Sequence, residues 1–165
     1  MSDQPTSLYS EIAPNLFMGG TADEDVIHQA VAYNKARTDL PFDAIITMYA
    51  WANPADWKVQ EFRYGIYDSD ISQIDLDRLK QAVEFGYNRW LSGDRLLVRC
   101  QAGLNRSGLV TALIMMSTGL DAETAIEQIR KNRAEIALFN THYVEWLLTK
   151  GAQFLAPSSL QESSK

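Results

Sequence analysis

The chain is poor in the residues from which many catalytic and metal sites are assembled. Its 165 residues include one cysteine, Cys100, and two histidines, His28 and His142. A single cysteine excludes an intrachain disulfide framework and leaves Cys100 without a resolving partner. Two histidines far apart in sequence suggest no metal cluster and give no support to Ser-His-Asp chemistry. Positive charge is also scarce, with 15 Lys and Arg against 21 Asp and Glu and a net charge of −6. That balance implies no basic face for nucleic acid or an anionic membrane. No apolar run reaches the length that crosses a bilayer and the N-terminus is polar, so neither a membrane helix nor a signal peptide is expected. A cytoplasmic, reducing setting fits.

The remaining composition is that of a soluble globular protein, 46% hydrophobic and 22% charged. The length suits one domain with a sizeable core, expected over residues 8–155 with flexible tails at 1–7 and 156–165. There are no repeats and no linker.

The most informative stretch runs from Val98 through Arg99, Cys100, Gln101, Ala102, Gly103, Leu104, Asn105, Arg106 and Ser107 to Gly108. It lies between a short apolar run, Leu96 to Val98, and a longer one, Leu109 to Met116. Strand, Gly-containing loop and helix is the natural reading. Such a loop gathers backbone N–H groups and the positive end of a helix dipole around one concave spot, which suits an oxyanion such as phosphate. A thiol ordinarily titrates near ~8.5, and a helix N-terminus with surrounding N–H donors favours the nucleophilic thiolate. Arg106 offers a planar fork for two phosphate oxygens. Gly103 permits torsions that a side chain resists. Ser107 has a hydroxyl proton to give to sulfur when sulfur departs. A buried core cysteine beside a helix-capping loop is the plain alternative, and the usual one for a lone cysteine.

The pattern Cys, five residues, Arg, Ser resembles the signature loop of cysteine-dependent protein phosphatases. Cys-Gln-Ala-Gly-Leu-Asn-Arg-Ser-Gly looks most like the dual-specificity branch. The opening Ile12-Ala13-Pro14-Asn15-Leu16-Phe17-Met18-Gly19 is similar to the start of the sheet in that family, so the resemblance covers roughly Leu8 to Leu155. It implies an α/β fold: a mixed, mostly parallel sheet of four or five strands flanked by helices. It also implies a mobile-loop aspartate ahead of the cysteine, to protonate the leaving oxygen and then activate water. Asp68 lies 32 residues before Cys100 at the end of Tyr64-Gly65-Ile66-Tyr67 and matches best. Asp70 is the competitor, with helix capping as its simpler role.

The resemblance assigns catalysis to Cys100, Arg106, Asp68 and Ser107, with Gln101, Ala102, Gly103, Leu104 and Asn105 lining the phosphate, and needs no metal or cofactor. The implied substrate is a phosphorylated protein or peptide, phosphotyrosine first, and the chain is expected to be a monomer. Lipid phosphatases of this superfamily carry lysines in the loop, whereas Gln101, Leu104 and Asn105 are not basic. A phosphate-binding module without turnover and a sulfur-transfer domain are the other readings. One departure stands out: the family usually places histidine before the cysteine, and here Arg99 stands there, able to supply positive charge instead.

Elsewhere the periodicity is plain. Thr21, with Glu24 three residues on, predicts a helix to about Arg37. Ala44 to Tyr49 and Phe62 to Tyr67 read as strands. Pro54 is placed to begin a short helix, and Trp51 and Trp57 beside it read as capping the core in preference to lining a groove. Ile74 to Leu91 is an amphipathic helix, and Leu109 to Met116 is apolar all round, so its helix is expected at the centre. Asp121 predicts the start of a helix to about Asn132, and Asn140 the start of a last one through Phe154. Arg130-Lys131-Asn132-Arg133 reads as charge complementing a helix C-terminus.

Overall fold

A computed structural model of the chain describes residues 7–21 and 41–157. Of the helix expected after Thr21, residues 22–37 lie outside this range, as does His28. The described elements are β1 (Tyr9–Ala13), β2 (Leu16–Gly19), β3 (Ala44–Thr47), β4 (Gln60–Arg63), a 3-10 turn (Ile71–Gln73), α1 (Leu76–Leu91), β5 (Leu96–Arg99), α2 (Arg106–Met116), α3 (Ala122–Asn132) and α4 (Thr141–Trp146). The last helix continues through a π-helical segment (Leu147–Gly151) into α5 (Ala152–Leu155).

The strands form one five-stranded sheet in the order β1-β2-β5-β3-β4. β2, β5, β3 and β4 are parallel, and β1 joins the β2 edge antiparallel. The expected α/β architecture with a mixed, mostly parallel sheet is therefore the observed one. Pro14 and Asn15 make the β1–β2 turn, with Asn15 at φ 66 and its N–H donated to the Glu11 carboxylate at 3.0 Å. Asparagine tolerates that left-handed backbone better than most residues. Asp75 caps α1 and Asp121 caps α3 through side-chain oxygens that accept first-turn N–H groups. α2 is buried along its length except at Arg106, as its unbroken apolar sequence requires.

β5 is central, so both its faces are covered, and strand alternation assigns its residues to two different cores. Leu96, Val98 and Cys100 join the main core with Ile46, Leu109 and Leu113. Leu97 faces the other way, with Phe17, Phe42, Ile45 and Val59. There the Tyr9, Phe17 and Phe42 rings meet edge to face at centroid distances of 5.1 to 5.9 Å.

Arg99 is fully buried on this second face. Its Nε donates to Thr47 Oγ1 at 3.0 Å, and its Nη2 to Asn53 O at 2.7 Å and Glu61 Oε2 at 3.2 Å. Thr47 Oγ1 in turn donates to Glu61 at 2.6 Å, and Arg63 Nη1 donates to the same carboxylate at 3.1 Å. Burial by itself raises the Glu61 carboxyl; hydrogen bonds from Thr47 and the Ala55 N–H, then the Arg63 and Arg99 charges, outweigh it and leave the carboxyl below its ordinary value.

Two expectations are corrected here. No helix forms at Pro54, because residues 53–56, between two turns, are held in an irregular conformation by this charged cluster: Glu61 accepts the Ala55 N–H, and the carbonyls of Ala52 and Asn53 accept from Arg63 and Arg99. The strand expected at Phe62 to Tyr67 begins earlier and ends at Arg63. Beyond it the chain still follows β3, with the Tyr64 N–H on Thr47 O and the Ile66 N–H on Met48 O.

Replacing Arg99 with Met leaves the half-buried Glu61 with Arg63 as its remaining counter-ion and opens a polar gap on the buried face. Stability is expected to fall by about 3 kcal/mol in urea denaturation; a loss under ~0.5 kcal/mol would show that Arg63 suffices. The pH dependence has a definite sign. Glu61 titrates lower folded than unfolded, so its contribution is fully present above the ordinary glutamate value and is lost as pH falls through the lower folded value. Glu61→Gln is expected to flatten the acid limb of the stability curve, which thermal denaturation at successive pH values reads directly.

Candidate active site

Cys100 follows the last residue of β5, at the carboxyl end of the parallel strands, where open α/β sheets place their ligands. The loop Gln101 to Asn105 connects it to α2, which starts at Arg106. The orientation of the loop's backbone can be read from its carbonyls. Gln101 O accepts from the Thr21 N–H at 2.9 Å, Ala102 O from Arg133 Nη2 at 3.4 Å and Gly103 O from Arg133 Nε at 3.0 Å. Leu104 O accepts from the Leu138 N–H at 3.1 Å and Asn105 O from the Leu109 N–H at 2.8 Å. Every carbonyl of the turn is thus used on its outer side. None of the N–H groups of Gln101 to Asn105 donates to a protein acceptor among the described residues. Peptide dipoles so arranged form an anion-binding nest at a helix N-terminus.

Gly103 is where the turn needs glycine. Its φ is +72, and a Cβ there would lie 2.5 Å from Gly19 C and 2.6 Å from Arg133 Nη2. Behind it Arg133 is buried, with Nη1 donating to Ser7 O at 2.9 Å and Ser10 Oγ at 3.1 Å and Nη2 to Leu8 O at 3.2 Å. Burial lowers the Arg133 pKa and the charge of Cys100 opposes that shift, so the two groups feel one another. Arg133, expected only to complement a helix C-terminus, stands at that terminus but is turned inward. It is the internal brace of the loop. Its position just past the end of α3 gave no sign of this, because nothing local in sequence says what a helix end is packed against.

Cys100 Sγ lies 3.3 Å from Ser107 Oγ, both buried. Arg106 donates through Nη1 to Ile66 O at 3.0 Å, and its guanidinium carbon stands 5.4 Å from the Tyr49 ring centroid. Its Nε is buried and has no hydrogen-bond partner among the described residues. A buried guanidinium N–H without an acceptor is costly unless a ligand supplies one.

Asp68 is brought to the same site. Its Oδ2 accepts from Asn105 Nδ2 at 2.9 Å and its Oδ1 from Asn140 Nδ2 at 2.7 Å. Asn140 Nδ2 also donates to Ser69 O at 2.8 Å, and its backbone N–H to Asn105 Oδ1 at 2.9 Å. Its Oδ1 meanwhile caps α4 through the His142 and Tyr143 N–H groups. Tyr143 Oη donates to Tyr67 O at 3.0 Å; burial first, then the Asp68 charge, push this phenol upward and keep it protonated. Asp70 faces elsewhere, capping the 3-10 turn through Ser72.

Of the residues expected at the site, Cys100, Arg106, Ser107, Asp68 and the loop from Gln101 to Asn105 converge. Arg99 does not, because strand alternation turns it to the opposite face from Cys100. Sequence reasoning assigned Asn140 to helix capping alone and so missed its grip on Asp68. No local signal marks that second role, because it is set by how α4 packs beside the aspartate loop.

The comparisons agree with this fold. Residues 28–153 match the family described as "Dual specificity phosphatase, catalytic domain", and the chain belongs to that family. The curated Dual specificity protein phosphatase 1-A of Xenopus laevis is 29% identical over 160 residues, which cover 93% of this chain. The match spans 40% of that relative's length. Among solved structures, human DUSP28 superposes with a TM-score of 0.70 at 18% identity, covering 93% of this chain and 99% of that one. PTPMT1, solved in complex with PI(5)P, gives 0.70 at 21%, covering 96% and 100%. At such identities these structures speak for the fold, which they share.

Gly103→Ala is expected to fold but to lose anion capture, since neither the backbone φ nor Gly19 can yield. Orthovanadate titrated against the wild type and the variant, followed by intrinsic fluorescence, checks this. Affinity that falls less than threefold would mean that the loop tolerates the change.

Proposed function

We propose that the chain is a protein phosphatase that hydrolyses phosphotyrosine, with phosphoserine and phosphothreonine as further substrates, through a cysteinyl-phosphate intermediate. The observation that carries this reading is the convergence on Cys100 of unclaimed donors, the N–H groups of Gln101 to Asn105 and Arg106 Nε, with Asp68 held beside them.

In the first step the Cys100 thiolate attacks phosphorus. The bond from phosphorus to the ester oxygen breaks, and that oxygen takes a proton from Asp68. Arg106 and the loop amides hold the equatorial oxygens as charge moves onto them; being fixed before reaction, they need no reorganisation. In the second step water attacks the cysteinyl-phosphate and gives its proton to Asp68. The sulfur–phosphorus bond breaks, and sulfur leaves as thiolate toward the Ser107 hydroxyl, 3.3 Å away. Asn105 and Asn140 fix the Asp68 carboxyl for both transfers.

A module that binds without turnover would draw its support from Arg99. That side chain is engaged with Glu61 and Thr47 on the other face of the sheet, which favours the catalytic reading. The loop side chains Gln101, Leu104 and Asn105 are uncharged, which favours phosphoprotein over phosphoinositide.

Release of phosphate from p-nitrophenyl phosphate, measured across pH with EDTA present, tests the mechanism. Cys100→Ser is expected to abolish turnover, and Asp68→Ala to lower kcat about 10²-fold or more. Asn140→Ala, which loosens the acid and also uncaps α4, is expected to fall between wild type and Asp68→Ala. Turnover that survives Cys100→Ser, or disappears with EDTA, would sink the proposal.

A further inference from the structure

Trp51 and Trp57, expected to cap the core, do not: they are 84% and 88% exposed. Both lie on the crossover from β3 to β4, but at different ends of it. β3 and β4 are parallel, so the crossover leaves the carboxyl end of the sheet, beside Cys100, and returns to the amino end. Trp51 is close to its start and Trp57 close to its finish.

The Trp51 end is built onto the site. The Ala52 N–H donates to Tyr49 O at 3.2 Å, closing a tight turn with Trp51 inside it, and Tyr49 is the residue whose ring faces Arg106. Ala50 touches the strand extension that supplies Ile66 O to Arg106: a Cβ on Gly65 would lie 2.5 Å from Ala50 Cβ.

The turn is also held from below. Arg63 Nη2 donates to Ala52 O at 2.7 Å and Ala50 O at 3.4 Å, the carbonyls on either side of Trp51. Arg63 is paired with Glu61, and Glu61 with Arg99, the residue next to the nucleophile. A chain of charged contacts on the second face of the sheet, from Arg99 through Glu61 to Arg63, therefore holds the backbone that presents the exposed indole next to the Tyr49 turn.

We infer that Trp51 is a specificity-determining residue, the platform on which an apolar side chain next to the phosphorylated residue of a polypeptide substrate lies, and that Arg63 is the positioning residue that holds it there. The occupant is a peptide because the exposed indole stands two residues beyond Tyr49, the ring that faces Arg106, so a substrate that meets it extends past its phosphorylated side chain. An exposed indole on a backbone tied at both neighbouring carbonyls also loses little freedom on binding, which favours its use as a contact. This inference rests on the phosphatase reading above.

The test compares kcat/KM on a synthetic phosphotyrosyl peptide with leucine on each side of the phosphotyrosine and on p-nitrophenyl phosphate. Trp51→Ala is expected to lower the peptide-to-small-ester ratio of kcat/KM about tenfold, through the peptide KM. Trp51→Phe is expected to recover about half of that change on a logarithmic scale. Arg63→Ala is expected to shift the ratio in the same direction, with Arg63→Lys intermediate, while Trp57→Ala leaves the ratio within twofold of wild type. An unchanged ratio in Trp51→Ala, or an equal shift in Trp57→Ala, overturns the inference and leaves the phosphatase reading standing. A wild type that turns over neither substrate overturns both.

Discussion

The rest of the structure depends on how five successive peptide groups are made to face one way. Aiming the N–H groups of Ala102 to Arg106 at one point turns the carbonyls of the same peptide groups, Gln101 to Asn105, outward into protein, where each needs a donor. The fold supplies them from four places in sequence: the Thr21 and Leu138 N–H groups, the Arg133 guanidinium and the first turn of α2. Arg133 reaches on to Ser7, Leu8 and Ser10, so the antiparallel edge of the sheet is fastened to the back of the same loop. A phosphate nest is in this sense a property of the whole domain. Its inward half is nine residues of signature, and its outward half is drawn from segments more than a hundred residues apart.

That division explains what could be read from sequence. Cys100, Gly103, Arg106 and Ser107 act within one turn of chain, where spacing and residue type determine geometry, and each stands where its position implies. The helices from Ala122 and Thr141 were legible for the same reason, since their caps Asp121 and Asn140 are local devices; the one from Leu76 was read from its apolar periodicity, and its cap Asp75 went unremarked. Asp68 required the resemblance, because nothing local separates a catalytic aspartate from a capping one such as Asp70. Arg133 and the second role of Asn140 were beyond reach. Their partners are set by the packing of α3 and α4 against the loop, and packing does not show in periodicity.

Arg99 is an instructive intermediate case. Strand alternation alone says that neighbours on β5 point to opposite faces, so a cation beside Cys100 in sequence is not beside it in space. Reading Arg99 as a source of charge for the thiol ignored that rule. On its own face it has the environment a buried arginine needs: Glu61, the Thr47 hydroxyl and the Asn53 carbonyl. This arrangement costs desolvation of two ions, and an apolar pair of similar size would stabilise the sheet as well or better. What an apolar pair would lack is directed hydrogen bonds to the crossover from residue 50 to 59. The charged cluster gives a segment without regular structure one conformation, and so fixes which of its side chains reach the mouth of the site.

The acid loop shows the same economy of local constraint. Ile66 O, Tyr67 O and Ser69 O accept in turn from Arg106, Tyr143 and Asn140, and the Asp68 carboxyl accepts from two amide side chains. The donors to the carboxyl are neutral. Amide donors fix its direction, and an asparagine that is itself locked as a helix cap has little freedom left to lose. Asn105 belongs both to the phosphate nest and to the carboxyl's shell, so the acid is positioned relative to phosphorus through a single side chain. In the mechanism proposed above this carboxyl gives a proton in one step and takes one in the next, and the two groups that hold its oxygens through both are neutral amides.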